Sequence, residues 1–233
     1  MVDLVWPRNC VLCSTPLGET DRGVVCPDCL RTVRWIEPPH CQRCSLPFEG
    51  VISESFACGH CQGRPFHFER AVCACRAEGV VRESIHRFKY RGQMYLGTHL
   101  ADWLVAAARS RIDRREIDAI VPVPLHPRKK RQRGFNQAEY LADALGRALA
   151  APVIASNLKR VRDTRTQTQL DARQRASNLR HAFAVRRPSD LEGRRLVLVD
   201  DVFTTGATLD GCAKVLIAAG ARQVVALTVA RGI

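Results

Sequence analysis

Residues 196–209 read LVLVDDVFTTGATL: an apolar run, two adjacent aspartates, then small polar residues that lead into a helical pattern. Adjacent carboxylates repel each other and cost desolvation, so their place at the end of a strand asks for a ligand. A strand, a loop of small residues and a helix together aim backbone N–H groups at one point, the geometry of a phosphate cradle. Thr204, Thr205 and Thr208 add hydroxyl donors, and Gly206 beside Ala207 lets a phosphate approach the backbone. The loop holds no lysine and the chain has no GxxxxGK(S/T), which excludes an ATP-type P-loop. Negative charge next to a phosphate pocket fits carboxylates that accept hydrogen bonds from ribose hydroxyls. It also favours positive charge developing at an anomeric carbon. Helix capping alone would need one such residue, and this segment supplies five in nine positions.

A second chemistry lies in the first 61 residues. Cys10/Cys13, Cys26/Cys29, Cys41/Cys44 and Cys58/Cys61 form four CxxC pairs, with twelve residues between the first two and thirteen between the last two. The near-repetition predicts a duplicated unit. Each knuckle offers two thiolates from one turn, and two knuckles complete the tetrahedral sulfur shell that Zn2+ accepts. Disulfides are the rival reading, disfavoured because the N-terminus has no secretory pattern and the cytosol keeps thiols reduced. We read two zinc ribbons, Cys10/Cys13/Cys26/Cys29 and Cys41/Cys44/Cys58/Cys61, with Pro38-Pro39 as a stiff connector; spacing alone leaves interleaved pairing open. Four protein thiolates leave no position for water, so the expected metal is structural. His40, His60 and His67 are expected to be bystanders, and Cys73, Cys75 and Cys212 small core residues.

These residues need elements to place them. From about residue 68 the pattern alternates strands with amphipathic helices. Residues 70–77 read as a strand, Val81, Ile85 and Phe88 keep helical spacing against Arg82, His86 and Lys89, and Leu96 to Ala108 give another helix. Residues 119–125 form an apolar strand, Asn136 and Glu139 resemble a capping box for a helix through Leu149, and a short strand is expected near Leu158–Val161. Two more strands flank a helix that ends at Gly220. Continuous apolar strands between amphipathic helices mean an α/β fold with a covered parallel sheet, whose ligands bind beyond the carboxyl ends of the strands.

The chain has 233 residues, 46% of them hydrophobic, and a formal charge of +13. Two zinc tetrathiolates, each contributing −2, would leave it at +9, still suited to anionic partners. RKKRQR (128–133) puts five cations in six residues; we expect a charged loop beside the site, able to hold pyrophosphate or to track single-stranded DNA. Phe135 alone is too little aromatic content for base stacking. No run reaches the roughly 20 apolar residues of a membrane span, so a cytoplasmic protein without membrane insertion is expected.

VLVDDVFTTGAT resembles the ribose-5-phosphate signature of type I phosphoribosyltransferases. With the cysteine pairs, FKYRG (88–92), VPVPLHPRKKRQRGFNQAE (121–139) and the spaced pattern from Gln169 to Phe183, the whole chain is similar to the ComF competence-protein family. The resemblance implies a parallel-sheet type I phosphoribosyltransferase fold over 68–233 after an N-terminal cysteine-rich zinc-ribbon domain over 1–67. It implies that Asp200 and Asp201 hold the ribose 2′- and 3′-hydroxyls of phosphoribosyl pyrophosphate (PRPP). Thr204, Thr205, Gly206, Ala207 and Thr208 would hold its 5′-phosphate. Arg128, Lys129 and Lys89 are the implied pyrophosphate contacts, and Arg175, in a lid over 162–178, would join them on closure. Mg2+ is the implied cofactor of PRPP, and the implied reaction displaces pyrophosphate at ribose C1 by a nitrogen acceptor, linked to DNA uptake. Single-stranded DNA, other competence proteins and a second copy of the chain are the further implied partners. A different class of function also fits: a non-enzymatic single-strand-binding accessory whose PRPP site is idle or regulatory.

Overall fold

The computed structural model describes residues 8–18, 23–50, 56–162 and 182–232. The lid segment with Gln169 and Arg175 lies outside them. Four strands form one parallel sheet in the order β1–β6–β5–β2: β1 (Arg70–Arg76), β2 (Ala119–Pro122), β5 (Arg195–Phe203) and β6 (Gln223–Arg231). Side chains alternate across the strands, so two cores form. On one face, Val197, Val199, Val225 and Leu227 pack against α2 (Gly79–Tyr90), α3 (Leu96–Arg111) and α5 (Gln137–Leu149). On the other, Leu196, Leu198, Val224 and Ala226 pack against α6 (Ala207–Ala218) and the antiparallel pair β3 (Leu158–Arg160) and β4 (Phe183–Val185). The predicted helical faces are the buried ones: Val81, Ile85 and Phe88 of α2, and Leu96, Leu100, Trp103, Leu104, Ala107 and Ala108 of α3. Among the described residues no helix is long and apolar enough to cross a membrane.

The cysteine-rich segment is built twice on one plan. Its first half also carries a short helix, α1 (Pro27–Arg31). Cys10 N–H donates to the Thr15 carbonyl and Ser14 N–H to the Cys10 carbonyl; Cys41 to Leu46 and Ser45 to Cys41 repeat these bonds, all at 2.8 Å. Ser14 and Ser45 both take the left-handed conformation that closes the knuckle, at φ 65° and 54°. The segment just before the Pro38-Pro39 connector and the first knuckle of the second half lie along the free edge of β1. Trp35 bridges Cys75, Ile36 N–H donates to the Ala74 carbonyl, and Arg76 N–H donates to the Arg34 carbonyl. Farther along, Ser45 Oγ donates to the Ala71 carbonyl and accepts from Cys73 N–H.

Three local expectations are corrected. The strand carrying the acids does not stop before them: β5 runs on to Phe203, because Asp200, Val202 and Phe203 still pair with Thr228, Ala230 and Arg231 of β6. The basic run is a helix, α4 (Pro127–Arg133), and not a loop. His126 accepts from Arg128 N–H as its N-cap, Pro127 occupies the first turn, and Gly134 at φ 85° ends it. Asn136 caps α5 through Ala138 N–H, but Glu139 does not reach back to complete a capping box; it pairs with Lys130 at 2.6 Å.

Candidate functional site

Both acids sit at the carboxyl end of β5, in the middle of the sheet, and are buried. Asp201 N–H donates to Asp200 Oδ1 at 2.9 Å, and each carboxyl shifts the other's titration. Burial and then the neighbouring Asp201 charge hold the Asp200 carboxyl well above the usual carboxylate range. Asp201 is just as deeply buried, yet Lys89 overrides that penalty and holds it below. Lys89 Nζ contacts Asp201 Oδ2 directly. The two acids are thus driven in opposite directions, and the Lys89 ammonium supplies the countercharge on the Asp201 side. This corrects the expectation that the carboxylates are uncompensated and that Lys89 belongs to the polar face of α2: the lysine is committed to the acid pair. Gln137, at the start of α5, donates Nε2–H to Asp201 Oδ1 at 3.4 Å, and Arg133 donates to the other end of the same amide. That chain ties the basic helix to the acids.

The Thr204–Thr208 loop follows directly. Gly206, at φ 77°, is the N-cap of α6 and gives that helix no side-chain cap; Thr205 Oγ1 accepts only at 3.4 Å, from Ala207 N–H. A side chain at Gly206 would meet Phe203 at 2.6 Å and Phe66 at 3.2 Å, so glycine is required there for space as well as conformation. Below the loop lies Arg231, the last residue of β6 and 4% exposed. Its Nη1 donates to the carbonyls of Phe203 (3.3 Å), Thr204 (2.9 Å) and Gly232, its Nε donates to the Cys44 carbonyl at 3.0 Å, and its Nη2 lies 3.8 Å from Cys44 Sγ.

Arg128 and Lys129 open α4 at the same edge of the sheet, since β2 and β5 are parallel and Val123 N–H donates to the Val199 carbonyl at 2.8 Å. Beside α4 a cleft of about 1050 Å³ lies between Lys130 and Arg131 on one wall and Lys159, Arg160 and Arg186 on the other. The wall of β3 and β4 was not legible in sequence: the Lys159-Arg160 pair and the distant Arg186 become one surface only when the strands pair.

The cysteines close into two sets, Cys10/Cys13/Cys26/Cys29 and Cys41/Cys44/Cys58/Cys61, with the sulfurs of each set within 4.8 Å of one another. The pairing is sequential. Sulfur separations of 3.9 Å (Cys10–Cys29), 3.6 Å (Cys13–Cys26) and 3.6 Å (Cys44–Cys58) match the edge of a tetrahedron with Zn–S of about 2.3 Å, which is about 3.8 Å. N–H groups of Cys26 and Cys58 donate to the sulfurs of Cys10 and Cys41 at 3.3 and 3.2 Å, as thiolate ligands require. The histidines lie outside both sets: His67 pairs with Asp210 of α6 at 3.0 Å, and His60 Nε2 is 3.4 Å from the Thr205 carbonyl.

Comparison with known proteins agrees with both halves of this geometry. Residues 1–62 match the double zinc ribbon domain, and residues 98–233, more than half the chain, match the phosphoribosyl transferase domain. DNA utilization protein YhgH of Salmonella typhimurium is 34% identical over 95% of this chain and 96% of its own length. Competence protein F of Haemophilus influenzae is 30% identical over 93% of each chain. Competence protein ComFC of Bacillus subtilis is 29% identical over 60% of this chain and 55% of its own. With two ribbons in front of an α/β sheet that ends in an acid pair and an uncapped glycine loop, the chain belongs to the ComF competence-protein family.

Proposed function

We propose that residues 68–233 form a phosphoribosyltransferase unit that binds PRPP and releases pyrophosphate from ribose C1, and that residues 1–67 form its zinc-ribbon unit. One observation carries the reading: two adjacent buried acids sit at the carboxyl end of an interior strand, directly before a glycine-opened helix that has no side-chain cap. The backbone of Thr204–Thr208 and the α6 dipole take the 5′-phosphate. Asp201, ionised, accepts from a ribose hydroxyl, while Asp200 can donate or accept. Gln137 fixes the Asp201 carboxylate, and Arg133 fixes Gln137. As the C1–O bond to pyrophosphate breaks, the Asp201 charge favours the positive character that develops at C1; the acceptor nitrogen forms the new bond and loses its proton. Arg128 and Lys129 stand at the same edge for the leaving pyrophosphate. Mg2+ bound with the diphosphate would supply further neutralisation of the leaving group. The cleft between α4 and the β3–β4 pair is the place for the acceptor. The relatives named for competence and DNA utilization support a link to DNA uptake.

Calorimetric titration of PRPP into the zinc-loaded protein, with and without Mg2+, tests the reading. Binding should require Mg2+ and vanish in Asp200→Asn/Asp201→Asn while circular dichroism keeps its folded signature. Unchanged binding in that variant would sink it.

A second reading has its own observation. Arg133 of α4 lies 5.1 Å over the Tyr90 ring, which is 67% exposed, whereas Phe135 is spent on packing against Phe88. Cations flanking exposed aromatic faces suit single-stranded nucleic acid. Under that reading, affinity for an oligothymidine falls steeply with salt, and each lost phosphate contact lowers the log–log slope by about 0.7.

A further inference from the structure

A loop that aims its N–H groups at a phosphate turns its carbonyls the other way, and those carbonyls need donors of their own. Arg231 is that donor. Its guanidinium fills the space behind the loop, bonds the Phe203, Thr204 and Gly232 carbonyls, and lies 4.7 Å over the Phe203 ring. The same guanidinium bonds the Cys44 carbonyl and reaches Cys44 Sγ, in the second zinc ribbon. A zinc-loaded Cys41/Cys44/Cys58/Cys61 set carries a net −2, the counter-charge a buried guanidinium requires. Further contacts run in parallel: Phe66 stacks on Phe68 at 4.6 Å, both rings meet Phe203 edge-on, and His67 N–H donates to Asp210 of α6 at 2.7 Å. The first ribbon is placed elsewhere. Cys10, Val25, Cys26 and Val33 share the core of α2 and α3, and Arg87 donates to the Val11 carbonyl.

We propose that Arg231 is a positioning residue that couples occupancy of the second zinc site to the order and anion affinity of the Thr204–Thr208 loop. This rests on reading that loop as the phosphate site. Zinc holds Cys44 in place, Cys44 holds one side of the guanidinium, and the other side holds the Phe203 and Thr204 carbonyls inward, away from the phosphate side. Loss of the metal frees the first link and lets the loop amides turn. By linkage, an anion that orders the loop tightens the second zinc site by the same factor.

Amide hydrogen exchange on the full zinc-loaded chain, without ligand, tests the coupling. Exchange across 203–209 should accelerate at least tenfold in Cys58→Ser/Cys61→Ser and stay unchanged in Cys10→Ser/Cys13→Ser, with the amides of 196–199 protected in both. If the second-site variant loses that strand protection, Arg231→Lys decides: it should keep two zinc ions per chain yet show the same loop acceleration and weaker PRPP binding. Equal loop exchange in both cysteine variants, or unchanged exchange in Arg231→Lys, would overturn the proposal. Failure of wild type to bind PRPP would count against the transferase reading alone, because the exchange measurement uses no ligand.

Discussion

The two zinc ribbons share a knuckle, a left-handed serine and a set of hydrogen bonds, yet they are attached to different parts of the molecule. In the first, Cys13 is exposed and Cys29 half-buried, and the unit rests on the outside of α2 and α3. In the second, all four cysteines are buried between β1, β6 and the phosphate loop. Duplication supplied a metal module twice, and docking gave each copy a different duty. What a ribbon does is therefore set by the side chains around it, Arg231 and Phe66 in one case and Arg87 in the other, since the metal shells are alike.

The largest consequence concerns metal removal. A strong chelator should strip zinc in two phases, the first site at least tenfold faster, and the faster amide exchange across 203–209 should accompany the second phase only. A single phase measured with a metallochromic dye would erase the distinction. Next in size is Phe66→Ala, which opens a cavity between the second ribbon and Phe203; urea unfolding should show about 3 kcal/mol lost. The acid pair gives a readout independent of the first ribbon. Asp200 is raised in the folded state relative to an unfolded value near 4, so the folded state keeps a proton the unfolded chain has lost. Stability should fall as pH rises above about 4, by up to about 1.4 kcal/mol per pH unit until Asp200 ionises, and Asp200→Asn should remove that slope. Asp201, lowered by Lys89, acts in the opposite sense and only below that window. The smallest effect is Arg87→Met, which removes one donor to Val11 at the first ribbon. It should cost about 1 kcal/mol in the same unfolding assay and leave PRPP binding unchanged.

The parts of the site that are contiguous in the chain were legible. Thr204–Thr208 announces itself because a strand, small polar residues and a helix follow in order, and each CxxC pair is a local turn. Partners far apart were not. Lys89 and Asp201 belong to different elements, and helical spacing places Lys89 with the solvent-facing positions of α2 until the crossing of α2 over the sheet end turns it inward. Arg231 reads as a terminal charge after an apolar strand, and only the β5–β6 register, Phe203 opposite Arg231, puts it behind the loop. Gln137 looked like one polar residue among several at a helix start. The basic run misled for another reason: five cations suggested a solvated loop and masked the stronger local signals of His126-Pro127 and Gly134, which start and stop a helix. Sequential zinc pairing needed the fold, since twelve- and thirteen-residue spacers permit either arrangement.

Finally, the second ribbon and the segment that leads into it together give β1 its outer partner. Residues 34–36 and Ser45 occupy the N–H and carbonyl groups that an edge strand would otherwise present, as the Ile120–Val153 bridge does at the opposite edge. A parallel sheet of near-continuous apolar strands is a ready template for strand addition once uncovered. Zinc starvation at the second site should thus turn the protein from a discrete particle into a self-associating one, with β1 as the growing seam, so metal supply governs solubility as well as shape.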